Sequence, residues 1–326
     1  MDVTMNRRTL LRGALAGAVA APAAGLLTAG TAEAAPAPFD VLLGDVTSGT
    51  IYQFDRNKRF TRANVKWSFK PSGGHPMEHR IRDTAGDGRI LLIATGSRDS
   101  GVASIRRRSD NKLLWSASLG TYLHSVERAR GTGVVVVAGR SRGPAPGGDG
   151  GATTGGKIYV YRPTDQYSRS LVKAQQFDFH QAHGLLWDPQ LERMWIIGGS
   201  VLQAYRIVTT ASSAKLVADP ERRVKVTRGH DLQPDYTSAG RLLFTDTGGV
   251  YSYDKASKKV TKLYGRHKVK SFVRHASGEE MWTGADDGGS AFGTKWVHFN
   301  RAGARALEVG SGPVVYKARI LNPAYL

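Results

Sequence analysis

One pattern recurs five times along the chain and leaves little freedom in how it can fold. The stretches HRIRDTAGDGRILLIATG (79–96), HSVERARGTGVVVVAG (124–139), HGLLWDPQLERMWIIGG (183–199), HDLQPDYTSAGRLLFTDTG (230–248) and KSFVRHASGEEMWTGADDG (270–288) share one plan. Each runs a short strand through a polar turn into a second strand that ends in glycine-rich sequence. A third element follows every copy, in GVASIRRRS, GKIYVYRPT, SVLQAYRIV, GGVYSYDKA and TKWVHFNRA, where apolar and polar residues alternate as on a half-buried strand. A weaker fourth strand, KLLWSASL or KVTKLYG for example, closes the unit. Four antiparallel strands recurring every 40 to 50 residues predict the blades of an all-β propeller.

The two ends complete the count. Residues 40–70 hold DVLLGD, GTIYQFD and VKWSFK, which match second, third and fourth strands with no first strand before them. A segment with first-strand character, VVYKARILNP (314–323), stands alone at the other end. The expected fold is a six-bladed β-propeller closed by pairing of the C-terminal strand with the N-terminal blade, which leaves no unpaired inner edge. A β-sandwich does not predict this repeat, and a seventh blade has no sequence to build it.

Residues 1–34 read as a segment apart from the propeller domain, 35–326. Arg7-Arg8-Thr9-Leu10-Leu11, an apolar Ala/Leu/Gly run and a small-residue site at Ala32-Glu33-Ala34 have the layout of a cleaved export signal of the twin-arginine type. Pro22 and the glycines argue against a membrane anchor, so none is expected in the mature protein. Cleavage removes three arginines and two acids, taking the formal net charge from +19 to +18. Such a charge speaks of partners and solubility, not of fold. For an exported chain it points to an anionic polysaccharide or wall polymer ahead of nucleic acid. The chain has no cysteine, which excludes disulfides, thiolate metal sites and a Cys nucleophile, and suits a protein that folds before export.

Aligned by the repeat, the first strands start at His79, His124, His183, His230, Lys270 and Lys317, separated by 45, 59, 47, 40 and 47 residues. Inner strands of a propeller begin at one mouth of the central channel, so these side chains are expected to encircle a single opening. Neutral imidazoles suit a divalent ion (Mn, Zn, Ni or Fe), and His79, His124, His183 and His230 are the candidate ligands. The lysines would favour a carboxylate, sulfate or phosphate group beside it. A metal or catalytic ring and a purely binding or structural ring both fit this pattern. Asp45, Asp246 and Asp286 end second strands, either as acceptors that orient imidazoles or as turn residues.

The separation of 59 residues reflects the insert RSRGPAPGGDGGATTGG (140–156), and GADDGGSAFGT (284–294) occupies the equivalent place in another unit. Both are expected on the mouth face, as tolerated insertions or as loops bordering the opening. The basic run SIRRRSDNK (104–112) reads as a solvated strand edge, and Trp115, Trp187, Trp195 and Trp282 as blade core. No phosphate-cradling loop, H-E-x-x-H, EF-hand or G-x-S-x-G motif is present.

The histidine ring on a propeller resembles the design of a secreted actinobacterial propeller family of unknown activity and of the oligogalacturonate lyases, whose channel-mouth histidines hold a divalent metal. The resemblance covers the architecture and the ring. It implies His124, His183 and His230 as ligands and His79 as a fourth ligand or substrate contact. It also implies Lys270, Lys317 and Arg319 as catalytic cations neutralising a uronate carboxylate while the adjacent proton is removed. No base is identifiable, although Arg80, Lys270 and Tyr122 are near. The expectation is a monomeric, secreted propeller binding an anionic carbohydrate at a His/Lys-lined mouth, either as a metal-dependent lyase or as a non-catalytic binder of a wall polymer or partner protein.

Overall fold

The computed structural model describes residues 37–141, 155–284 and 290–324. Residues 1–34, the expected export signal, lie outside the described residues, as do 142–154 and 285–289 of the two expected mouth-face loops and with them Asp286.

Strand pairing sorts into six sheets arranged as the blades of a β-propeller. Blade 2 runs His75–Thr84, Gly88–Ser97, Ser100–Arg107, Leu113–Leu119 from the channel outward, and blades 3, 4 and 5 repeat that order from Tyr122–Arg128, Ala182–Asp188 and Asp231–Pro234. Blade 6 begins with Val269–Arg274. The innermost strand of blade 1, Val315–Ile320, comes from the far end of the chain and pairs antiparallel with Asp40–Asp45, Val41 opposite Ile320 and Leu43 opposite Ala318. A two-residue strand, Phe60–Thr61, leaves blade 1 to pair in parallel with the outer strand Gly303–Glu308 of blade 6. Blades 1 and 6 are thus tied at both their inner and outer edges.

Every blade packs a face on each neighbour, so inner strands are buried on both sides and lose the alternation that marks outer ones. All seven residues of Ala182–Asp188 are buried, whereas the outer strand Leu113–Leu119 alternates. The core accordingly divides into sets lying between successive blades. Ile90, Leu92 and Ile105 of blade 2 meet Leu123, Val126 and Val135 of blade 3, and Val273, Met281 and Val297 of blade 6 meet Val41, Leu43 and Phe54 of blade 1. Each such Val, Leu or Ile contributes roughly 1.5–3 kcal/mol by leaving water. Trp187 and Trp195 are buried in this core, while Trp115 and Trp282 are only partly so.

On the face away from the inner-strand starts, an acid after the inner strand of one blade grips the next. Asp87 accepts from the Ser168 amide at 2.7 Å, Asp188 from Lys255 at 2.9 Å, Asp235 from Arg274 at 2.9 Å, and Glu279 pairs with Arg56. The basic run at 104–112 has a packing role as well: Arg106 lies 4.6 Å over Phe69 and Arg108 3.8 Å over Trp67, joining blades 1 and 2 by cation–π contact. Among the described residues no helix is long and apolar enough to cross a membrane.

Candidate functional site: the channel mouth

The register of the inner strands decides which side chains reach the mouth. In blade 3, Ser125 pairs with Ala138 but Leu123 with Gly139, so His124 is an extra residue with no partner of its own. The same slip isolates His183 in blade 4, Lys270 in blade 6 and Met77 in blade 2. In blade 1, Leu43 faces Ala318 and Asp45 faces Val315, so Gly44 stands opposite both Tyr316 and Lys317, and of the two it is Tyr316 whose hydroxyl reaches His183 and His124. In blade 5 the amide of His230 donates to Thr245, which also pairs with Asp231. A β-bulge re-aims the inserted side chain. Met77, His124, His183, His230, Lys270 and Tyr316 therefore form one tier. Glycines stand opposite several bulges because the doubled strand crowds them; a Cβ on Gly198 would come 2.3 Å from the Gln181 carbonyl oxygen.

This tier corrects the expected ring at two places. His79 is the fifth residue of its strand, two past the bulge, and its ring turns into blade 1, with Nε2 3.1 Å from the Leu42 carbonyl oxygen. Burial, then the charge of Arg319, lowers its pKa to about 4. Lys317 shares the blade 1 bulge but turns inward to Glu78, and Tyr316 takes the place at the mouth. The repeat alignment misses both because a bulge shifts register by one residue without altering the apolar pattern around it.

The other three histidines do meet. His124 and His183 stack with ring centroids 3.9 Å apart, and His183 and His230 meet edge-on at 4.7 Å. His230 Nδ1 lies 3.2 Å from His183 Nε2, and the Tyr316 hydroxyl spans 2.9 Å to His183 Nε2 and 3.3 Å to His124 Nδ1. His124 Nε2 is buried with no hydrogen-bond partner among the described residues. Burial first, then surrounding positive charge, holds all three imidazoles well below their usual pKa and therefore neutral. Arg140 and Lys317 bear on all three rings, Lys270 on His124 and His230, and Arg228 on His230. Burial raises the pKa of Tyr316, which stays protonated. Tyr122, Phe292 and Val46 pack round Met77 and Tyr316, and Tyr122 donates to the Met77 sulfur at 3.4 Å.

One residue deeper the chemistry changes. Arg319 donates to Glu78 at 2.8 and 2.9 Å and to Asp231 at 3.0 and 2.7 Å. Lys317 lies 3.2 Å from Glu78 and 3.4 Å from Asp231, and Arg80 3.3 Å from Glu78 and 3.4 Å from Glu127, which also takes Arg82 at 2.7 Å. Burial alone would raise the Glu78 pKa, but Arg319, Arg80 and Lys317 outweigh it and hold the carboxyl well below its usual range. Burial lowers the Lys317 pKa against the pull of Glu78 and Asp231. The carboxylates that Lys317 and Arg319 meet are thus the protein's own, and the two cations form a charge-matched floor beneath the mouth. Glu78 and Asp231 carry no repeat signal beyond their place after a bulge, and sequence reasoning missed them.

The mouth was tested as a metal centre. The contacts of 2.9 to 3.3 Å among His183, His230, Tyr316 and His124 match the edge of a tetrahedron around an ion about 2.0 Å from each donor. The charge does not match, since among the described residues the charged groups bearing on all three rings are cations. Among the described residues no three His, Asp or Glu side chains form a metal-holding group. Asp45 caps its own turn, accepting from the Thr47 amide at 3.0 Å and the Val314 amide at 2.9 Å, and Asp246 accepts from the Thr227 and Gly248 amides at 2.9 and 2.7 Å. Both hold turns, and neither contacts an imidazole.

No known protein family and no curated protein matches the chain. Among solved structures it is similar to a Bacteroides caccae protein of unknown function at 10% identity and a TM-score of 0.51, over 86% of this chain and 94% of that one. It is similar to a chain of a nidogen/laminin complex at 10% identity and a TM-score of 0.52, over 88% and 99%. A putative 6-phosphogluconolactonase from Bacteroides fragilis aligns at 12% identity with a TM-score of 0.48, over 87% and 98%. At these identities the likeness is one of fold alone, and the fold is a six-bladed β-propeller.

Proposed function

We propose that the mature protein, exported after cleavage behind Ala34, binds an anionic carbohydrate at the channel mouth, seating one carboxylate or sulfate against His124, Lys270 and Arg140. The observation that carries this reading is the buried, unpartnered Nε2 of His124 in a field of positive charge. In the tautomers in which His183 Nε2–H donates to the Tyr316 oxygen and the Tyr316 hydroxyl donates to His124 Nδ1, the single imidazole proton of His124 lies on Nε2. That N–H then lacks an acceptor, which an anion supplies. A hydrogen bond to a charged partner contributes about 1.5–3 kcal/mol. Titration calorimetry of Ala35–Leu326 with galacturonate should therefore show binding that His124→Ala weakens by about 10-fold or more. Equal affinity in the variant sinks the reading.

A metal-dependent lyase of uronic-acid polymers is the second reading, favoured by the donor spacing and opposed by the charge. Elemental analysis of protein expressed with Mn, Zn, Ni and Fe, alongside ultraviolet detection of unsaturated products from polygalacturonate, separates the two. Stoichiometric metal with product release establishes the lyase. Metal-free protein that still binds galacturonate establishes the binder.

A further inference from the structure

Two segments that flank the mouth are unusually one-sided in charge. Residues 222–230 and 258–270 hold Arg222, Arg223, Lys225, Arg228, Lys258, Lys259, Lys262, Arg266, Lys268 and Lys270, ten cations without one acid. The first is the outer edge of blade 4 and its lead-in to His230, and the second is the equivalent stretch of blade 5 leading to Lys270. Lys225, Arg228, Lys262, Arg266 and Lys268 are exposed.

The turn after Arg241–Asp246 gathers these two stretches on the mouth face. The Thr247 amide donates to the Thr227 carbonyl at 2.8 Å, and the Thr247 carbonyl lies 3.0 Å from His267 Nδ1. Arg228 follows the first contact in sequence, and Arg266 and Lys268 bracket the second. Lys262 folds up against the same turn, its Cε 3.0 Å from where a Cβ on Gly249 would stand. Asp246, the acid at the turn, accepts from the Thr227 and Gly248 amides.

Resting on the anion site proposed above, we infer that Lys225, Arg228, Lys262, Arg266 and Lys268 form a rim track continuous with the mouth, and that the ligand is an anionic polysaccharide chain spanning both. Repeated charge along a polymer is the complement of repeated charge along a rim. The large hydrophobic residues exposed among the described residues are Leu113, Val172, Val208, Val217 and Val260, with no aromatic ring for stacking bases. Trp282, which borders the rim, has its face covered by Arg266 at 4.5 Å. Those features favour a saccharide over single-stranded nucleic acid.

The test compares galacturonate, polygalacturonate and a single-stranded DNA of matched charge on wild type, on Lys225→Gln/Lys262→Gln and on His124→Ala. Because the rim residues are exposed, thermal melts of the rim variant should match wild type. The rim variant should lose about 10-fold or more in affinity for the polymer, with a shallower salt dependence, and keep its affinity for the single sugar. Unchanged polymer affinity overturns the track, and DNA binding as tight as polygalacturonate overturns the ligand class. Polymer binding that depends on the rim but ignores His124→Ala, with no binding of the single sugar, supports the track and sinks the mouth site instead.

Discussion

The mouth and the floor of the channel share inner strands, the floor beginning one residue past the mouth, yet they are built on opposite principles. At the floor, the carboxylates of Glu78, Glu127 and Asp231 are each engaged by one or more of Lys317, Arg319, Arg80 and Arg82. At the mouth three imidazoles and a phenol are crowded together, and among the described residues a ring nitrogen is left without a partner and the charge bearing on the rings is positive. The floor cations are engaged by the protein's own carboxylates, which hold the ring together and draw those cations away from an anionic ligand. A mouth with unmet hydrogen-bonding capacity costs stability and is where a ligand gains most.

Acid is the largest perturbation that separates the two tiers. The mouth imidazoles are held neutral in the folded protein, so the unfolded chain binds more protons below about pH 6.5, and stability falls as pH drops through that window. His79, with its folded pKa of about 4, contributes in the same direction at up to about 1.4 kcal/mol per pH unit. Glu78 has a lowered pKa, so its contribution is present above the unfolded carboxyl value and is lost only at lower pH. Denaturant midpoints measured from pH 7 to 3 should fall in two stages. A flat profile between pH 6.5 and 4.5 breaks the claim that the mouth is buried and neutral. Bound anion favours the protonated rings, so ligand affinity should rise over the interval in which stability falls.

A smaller change breaks the floor alone. Arg319→Met leaves Glu78 and Asp231 without the guanidinium that bridges them, which should cost about 3–5 kcal/mol at pH 7. A loss under 1 kcal/mol by denaturant titration means the floor is not a coupled unit.

The mildest test removes one oxygen from the mouth. Tyr316→Phe takes away the hydroxyl shared by His183 and His124, at a cost of about 1–2 kcal/mol. It also frees the tautomer of His124, so galacturonate affinity should drop more than stability does. An unchanged affinity sharpens the comparison by assigning the mouth donors to histidine alone.

The sequence by itself determined the six-blade count, because strand periodicity and turn chemistry repeat wherever a blade must bury both faces. The orphaned strands at the two ends complete one blade between them. The convergence of His124, His183 and His230 was legible for the same reason: equal places in equal repeats become neighbours around an axis. Tertiary structure alone decided the rest. Bulges insert a residue at the head of the inner strands without leaving a trace in the hydrophobic pattern, and so exchange His79 for Met77 and Lys317 for Tyr316 at the mouth. Whether a buried lysine or arginine faces a ligand or an internal carboxylate depends on residues as far apart in the chain as Glu78 and Arg319, which only closing the ring brings within 3 Å.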